Sequence, residues 1–583
     1  MNPDAIRQSI HTALGKKPAD LIITNGTLVN VFTAELLPGT DVAIKGNRFV
    51  AVGTIPSAAR GNETRIIDAD GAFLLPGFVE THTHIANVFR LHDFVRLVLP
   101  RGTTTVVTEV TELGNSLGLA GIQAFLAEAR RQPMNIKVTA PCFSPPYPEM
   151  ETVHPFSLAD YETLFRDPDI VGVGEAYWPR IVNNPDQKTL ELLSLAWQHH
   201  LPLQGHGAGA RREKLNAFIA AGIASDHEPI TAAEALERLR LGLFVMIREG
   251  SIRQDLEGVA AVKDMIRDFR RLSISTDGVT SSRLLNQGHL DVLGRKAVAL
   301  GFDPVTTVQM LTLNAAAAFG FSDLGAIAPH FRADLQIVAH LEEFTPHTVI
   351  AGGRVAAEQG KLTIAGEEYH YPPFACNSLN LDPLTAESFR YPANGSEVTV
   401  RAVRPDRQTM VTHEEIVTLP VENGNIRPVP EQSILKYVVI NRYGRQHLSR
   451  GFLAGTGIRR GAIASTLNWE AYQPTVYGAS EEEMSTAFNR LLEIRGGIVV
   501  VDGGKILAEL PLPIGGICSN LPMEEINRRE KDIEAALEHL GSTLDNPFFH
   551  YQTLSFTGLP FLRLTDKGLY DVRKGDSLPL IIE

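Results

Sequence analysis

Two histidines stand one residue apart in His82-Thr83-His84, after the apolar run Ala72-Phe73-Leu74-Leu75 and a Pro76-Gly77 break. Alternate residues of a strand face the same side, so this pair at a strand end can reach one metal ion. Imidazole is the commonest neutral nitrogen ligand for zinc, iron and similar metals. Taken alone, His-x-His also fits two surface histidines beside a turn, but an apolar run and not a polar loop leads into this pair. Four more residues of ligand type close short apolar runs: Glu175, His206, His227 and Asp277. Each has an ordinary reading by itself, as a helix-start carboxylate, a turn residue or part of a cap. Together, His82, His84, Glu175, His206, His227 and Asp277 are the expected metal ligands, with Glu175 shared between two divalent ions. A water held between two such ions loses a proton near neutral pH. Asp277 beside it can take that proton and pass it to a leaving group, so Glu175 and Asp277 are the expected catalytic carboxylates. The chemistry is hydrolysis at a trigonal carbon: an amide, an amidine or an aromatic C–NH2. Two-metal sites also cleave phosphoesters, but no cluster of Arg or Lys stands at the strand ends to hold a phosphate.

These residues need a scaffold that brings strand ends together. Eight apolar strand candidates end the runs 79–84, 103–109, 136–141, 170–175, 203–206, 223–227, 244–249 and 272–277. Helical stretches separate them, among them 211–221 and one that starts at the capping pattern Thr231-Ala232-Ala233-Glu234. Eight β–α repeats in roughly 250 residues match a (β/α)8 barrel. A doubly wound open sheet has the same rhythm, but it would spread these side chains along an edge. The α/β fold expected over 72–321 is therefore a TIM-like barrel. Residues 21–29 read as two strands around an Asn25-Gly26 turn, and 41–52 repeat the pattern. Residues 333–338 and 349–355 return to strands after a helical stretch at 306–321. Residues 1–71 and 322–370 are thus expected to form one composite β-sandwich domain. Pro372, Pro373, Pro383 and Pro392 mark 371–395 as a linker, and 396–583 has the size of a C-terminal α+β domain.

The 583 residues are too many for one core. The formal net charge of -13 argues against a nucleic-acid or membrane-surface partner. No run approaches 18 apolar residues, as a membrane span requires, and no apolar segment follows the N-terminus as a signal peptide requires. Three scattered cysteines make no disulfide framework. The expectation is a cytoplasmic homo-oligomer that acts on a small molecule.

Pro76-Gly77 with His82-Thr83-His84, then Gly205-His206, Ser225-Asp226-His227-Glu228 and Ser275-Thr276-Asp277 resemble the amidohydrolase superfamily. Within it, Arg101-Gly102-Thr103-Thr104-Thr105, Leu239-Arg240-Leu241-Gly242, Arg460-Gly461-Ala462-Ile463 and Leu510-Pro511-Leu512-Pro513 resemble the adenine deaminase family over nearly the whole chain. The resemblance implies a composite β-domain, a barrel and a C-terminal domain. It also implies two metal ions, manganese or iron with zinc as an alternative, and conversion of adenine and water to hypoxanthine and ammonia. A strand-four glutamate bridging the metals matches Gly174-Glu175. The chain departs from the family pattern at three places. Glu109-Val110-Thr111-Glu112 stands for Asp-Pro-His-Glu, Gly278 follows Asp277 in place of a second aspartate, and Leu467-Asn468-Trp469-Glu470-Ala471 replaces His-Asp-Ser-His-Asn. Thr111, Glu112 and Gly278 are the expected substrate-side residues. Their departures leave open another aminopurine, or a cyclic amide, imide or lactone, as substrate. A non-catalytic metal-binding scaffold would have no need of Asp277.

Overall fold

Eight parallel strands follow one another in sequence order: Phe78–Glu80, Thr103–Glu109, Asn135–Pro141, Ile170–Tyr177, Leu203–His206, Ile223–Asp226, Phe244–Arg248 and Leu272–Ser275. The computed structural model describes residues 2–183 and 185–582. Strands buried on both faces read as near-continuous apolar runs, and Thr103–Glu109 is buried at every position. All eight strands overlap the expected apolar runs, but the first stops at Glu80 and the last at Ser275, so His82, His84 and Asp277 lie just beyond the strand ends. The first and last strands meet through their ends. The Asp277 N–H donates to the His82 carbonyl at 2.9 Å, and the Thr276 N–H donates to the Glu80 carboxylate at 3.1 Å. The nearly closed barrel is thus sealed at the place where the site forms.

The apolar run before His82 is shared by two sheets. Phe73–Pro76 pairs antiparallel with Leu335–Val338 and parallel with Leu21–Asn30, while Phe78–Glu80 pairs with Thr103–Glu109. The chain crosses between sheets at Gly77, where a Cβ would lie 2.1 Å from Thr104 Oγ1. A nine-stranded sheet therefore joins strands from both sides of the barrel in sequence, with Leu335–Val338, Pro346–Ala351 and Arg354–Glu358 continuing beyond Phe73–Pro76.

Two local readings change. Residues 21–29 do not turn at Asn25-Gly26: Leu21–Asn30 is one strand along Glu35–Lys45, with its register broken between Ile23 and Gly26. Neighbours on both edges hold it extended. The Asn-Gly pair supplies an irregular step instead, with Asn25 at φ +57, and a Cβ on Gly26 would meet Leu74 at 2.5 Å. The helix expected over 306–321 is two, Pro304–Leu311 and Leu313–Ala317. They part at Thr312, whose hydroxyl donates back to the Val308 carbonyl at 2.6 Å.

A ten-stranded sheet forms the C-terminal part, with Glu481–Glu493 and Met523–Leu540 packed on it. The Pro-rich stretch 371–395 lies against this sheet, with Phe389 and Tyr391 buried in its core. Loops that follow the first three barrel strands touch the C-terminal part. Val88 exchanges backbone bonds with Ile517 and Ser519, Asn115 donates to the Glu470 carbonyl, and the Thr152 N–H donates to Asp566. The C-terminal part thus covers one side of the face where the strands end. Among the described residues, no helix is long and apolar enough to cross a membrane.

Candidate metal centre

All six expected ligands converge at that face. Glu175 Oε1 lies 3.4 Å from His206 Nδ1 and 3.5 Å from His227 Nε2. It lies 3.6 Å from His82 Nε2 and 3.8 Å from His84 Nε2. Asp277 Oδ1 stands 3.1 Å from His82 Nε2 and 3.6 Å from His84 Nε2. Two donor groups result, His82–His84–Glu175–Asp277 and Glu175–His206–His227, with Glu175 common to both.

The local backbone is bent to do this. Glu175 and Asp277 both have left-handed conformations, at φ +42 and +58. Each costs of order 1–3 kcal/mol in a non-glycine residue, and such strain concentrates at functional sites. Gly174 makes room beside Glu175, because a Cβ there would lie 2.0 Å from Glu109 Oε1. The donor set fits a divalent cation. Four imidazoles and two carboxylates face one another, and His227 Nε2 is buried without a hydrogen-bond partner. Residues that bind only each other would not leave that nitrogen bare.

Electrostatics agree. Burial works against the charge on Glu175, but the four histidines around it, His206, His227, His82 and His84, hold its carboxyl well below the usual range. Burial likewise opposes charge on Asp277, and His82 and His84 outweigh it and hold the carboxyl low. Both stay ionised at neutral pH, as a cation requires. Burial lowers the pKa of His227, and the charge on His82 lowers it further. In the other three, burial is outweighed by the surrounding carboxylates, which raise His82 to about 10, His206 to about 9 and His84 well above the usual range. A cation bound here therefore displaces protons from those rings.

Behind the ligands stands a layer that spacing alone does not reveal. Glu112 Oε1 lies 2.6 Å from His84 Nδ1, and Glu109 Oε1 lies 3.6 Å from His82 Nδ1. A carboxylate on the outer nitrogen fixes the ring and raises its basicity toward a metal. The sequence reading sets Glu112 on the substrate; its Oε1 lies against His84, and its Oε2 is buried without a partner. Thr111 is the buried first residue of the helix Thr111–Ala129, and makes no hydrogen bond to the six among the described residues. Gly278 sits at φ +144, with Ile252 3.4 Å from where a Cβ would be.

Arg248 closes the seventh strand, so the strand ends do carry an arginine. Its donors are taken: it bonds Glu228 and Asp255, and lies 3.4 Å from Asp277 Oδ2. That leaves no free guanidinium for a phosphate. The rule that found the ligands, a polar residue at the end of an apolar run, applies equally to Arg248 and Glu109.

Comparison with known proteins follows this geometry. The amidohydrolase family matches residues 73–356, and the adenine deaminase C-terminal domain matches residues 409–576. A Moorella thermoacetica protein named adenine deaminase is 36% identical, over 99% of this chain and 98% of its own. Its namesake from Methylobacterium nodulans is 37% identical, over 98% of this chain and 99% of its own. One from Staphylothermus marinus is 35% identical, over 98% and 97%. Matched from end to end at such identity, the chain belongs to the adenine deaminase family.

Proposed function

We propose that this chain is a metal-dependent hydrolase that converts adenine and water to hypoxanthine and ammonia. The observation that carries this reading is the position of Glu175 Oε1, 3.4–3.8 Å from all four histidines, with Asp277 beside two of them. His82, His84, Glu175 and Asp277 would hold one divalent ion, and Glu175, His206 and His227 a second. Manganese or iron suits this mixed nitrogen and oxygen set, and zinc is the alternative. Bound there, such ions supply Lewis acidity and an activated water near neutral pH.

The chain's own groups do the rest. His82 and His84 keep the Asp277 carboxylate ionised, and Arg248 stands 3.4 Å from its Oδ2. Asp277 takes one proton from water as the C6–O bond forms, and delivers it to the amino nitrogen as the C6–N bond breaks; the second water proton ends on N1 of the base as C6=O forms, and ammonia leaves. Glu112 and Glu109 hold His84 and His82 in place during the cycle. The division into 1–71 with 322–370, 72–321, 371–395 and 396–583 belongs to the same proposal, with limited proteolysis as its test. So does a cytoplasmic homo-oligomer. Three unpaired cysteines suit a reducing compartment, and sedimentation would measure the assembly.

Purified, manganese-loaded protein should release ammonia from adenine, with two ions per chain by metal analysis. Thr111, Gly278 and residues 467–471, which depart from the family pattern, favour testing other aminopurines and cyclic amides alongside. A ring-opened product with no ammonia from adenine would overturn the assignment.

A further inference from the structure

The C-terminal part does more than cover the barrel. Its segment 467–473 places Glu470 beside the second donor group. The Glu470 carbonyl accepts a bond from Asn115 Nδ2 at 2.9 Å, and Asn115 Oδ1 accepts one from the Ser144 hydroxyl at 2.6 Å. The helix after the second strand and the loop after the third therefore fix the backbone. The Glu470 carboxyl is bonded at Oε1 by the Tyr177 hydroxyl. The Tyr177 ring leans on His206, with centroids 4.6 Å apart at 59°. Glu470 is thus tied to the metal centre through one aromatic ring.

Its other oxygen has no such tie. Glu470 is 9% exposed, and Oε2 is buried with no hydrogen-bond partner. Nearly all buried polar atoms are paired, and an unpaired one calls for an explanation. Two more unpaired buried oxygens, Glu112 Oε2 and Ser116 Oγ, lie on the helix that holds Asn115. Burial, then the charge on Glu175, push the Glu470 carboxyl well above the usual range. A neutral carboxyl offers one acceptor and one donor. Tyr177 takes the acceptor.

We propose that Glu470 is the C-terminal domain's contact with the substrate, with Oε1 fixed by Tyr177 and Oε2 hydrogen-bonded to a ring nitrogen of the heteroaromatic base. The inference rests on the deaminase reading and deepens it, since it assigns recognition of the base to a residue outside the barrel. A purely structural Glu470 would tie Tyr177 and leave substrate choice untouched.

The test uses full-length, metal-loaded protein and three variants. Glu470→Gln keeps an acceptor for Tyr177 and an N–H donor for the base, so it should lose clearly less kcat/KM for adenine than Glu470→Met does. Glu470→Met keeps the volume without a donor, and should lower kcat/KM roughly 5- to 150-fold, the loss that goes with one unpaired buried group. Glu470→Ala is the second deletion, should the methionine disturb packing. Metal content should be unchanged in all three. The decisive measurement uses adenine analogues in which one ring nitrogen is C–H. On one of them, wild type should lose the same factor, and the deletion variant should lose nothing further. An equal penalty on adenine and on every analogue, or a Glu470→Gln as poor as Glu470→Met, would overturn the inference. If wild type releases no ammonia from adenine, the deaminase reading fails on its own. Calorimetric binding of adenine to wild type and Glu470→Met then decides separately: weaker binding by the variant supports the contact, and equal binding removes it.

Discussion

The two donor groups that share Glu175 are built differently. In the first, His84 and His82 each have a carboxylate on the outer nitrogen, Glu112 at 2.6 Å and Glu109 at 3.6 Å, and Asp277 adds a fourth donor. The second has three donors. His206 is 24% exposed on its side chain, and His227 Nε2 has no partner. Besides Glu175, the carboxylate near both of these histidines is Glu228, at 3.7 and 3.5 Å, and it is also bonded to Arg248. The first group is preorganised and the second is looser. A site built this way should fill the first position more tightly, and leave the second open enough to share its ion with a substrate.

The strongest way to break this comparison is at Asp277, which belongs to the tight group but has the proton-transfer role. Asp277→Asn should keep most metal, because the histidines and Glu175 remain. It should lose turnover by about 10²–10⁴-fold, the usual contribution of an acid–base group. Near wild-type turnover would take Asp277 out of the mechanism. Glu175→Gln tests the sharing itself. With the bridge charge gone, the second group keeps two histidines and should empty first, so metal analysis should find about one ion per chain. Wild-type metal content in that variant would mean that Glu175 is not the bridge and that the two groups do not differ.

Much of this contrast was not legible in the residues. The convergence of the six side chains was, because each follows an apolar run and barrel geometry brings such positions together. Glu112 was legible as a polar residue near the site but not as the partner of His84, since that depends on how the helix Thr111–Ala129 turns away from its strand. Glu470 lies 264 residues beyond His206 in sequence, and no periodicity links the two. In Leu21–Asn30 the strong Asn-Gly turn signal lost to strand neighbours on both edges. Local preference reports what a segment does alone; long-range pairing decided here.

A smaller effect sits below the tight group, at the barrel seam. Burial raises the Glu80 carboxyl from 4.5 to about 7, with bonds from His82 and Thr276 opposing. The folded state therefore binds this proton more strongly than the unfolded chain does. Its stabilising contribution is complete below pH about 4.5 and is lost as pH rises through about 7. At about 1.4 kcal/mol per pH unit, the loss is capped near about 3 kcal/mol. Glu80→Gln keeps an acceptor for the Thr276 N–H without the titration. In metal-free protein, the stability of the variant relative to wild type should rise between pH 5 and pH 8, as denaturant melts would measure. A constant difference across that window would show that Glu80 ionises freely and that the seam is not tight.

The last prediction separates the groups by their backing carboxylates. Glu112→Gln leaves an oxygen for His84 Nδ1 but removes the charge that raises the basicity of the ring. Loss of such a partner usually costs 10- to 100-fold in metal affinity. Glu228→Gln, made in the looser group, should cost less there. Glu228 stands 3.5 Å or more from both imidazoles and is already neutralised by Arg248. Competition with a chelator, read as two release phases, would measure both. Glu112→Gln should speed the slow phase and leave the fast one alone, while Glu228→Gln should affect the fast phase by a few-fold at most. If Glu228→Gln speeds neither phase and Glu112→Gln accelerates both alike, the ions are released as one unit. The bridge through Glu175 then couples the groups more strongly than their separate surroundings divide them.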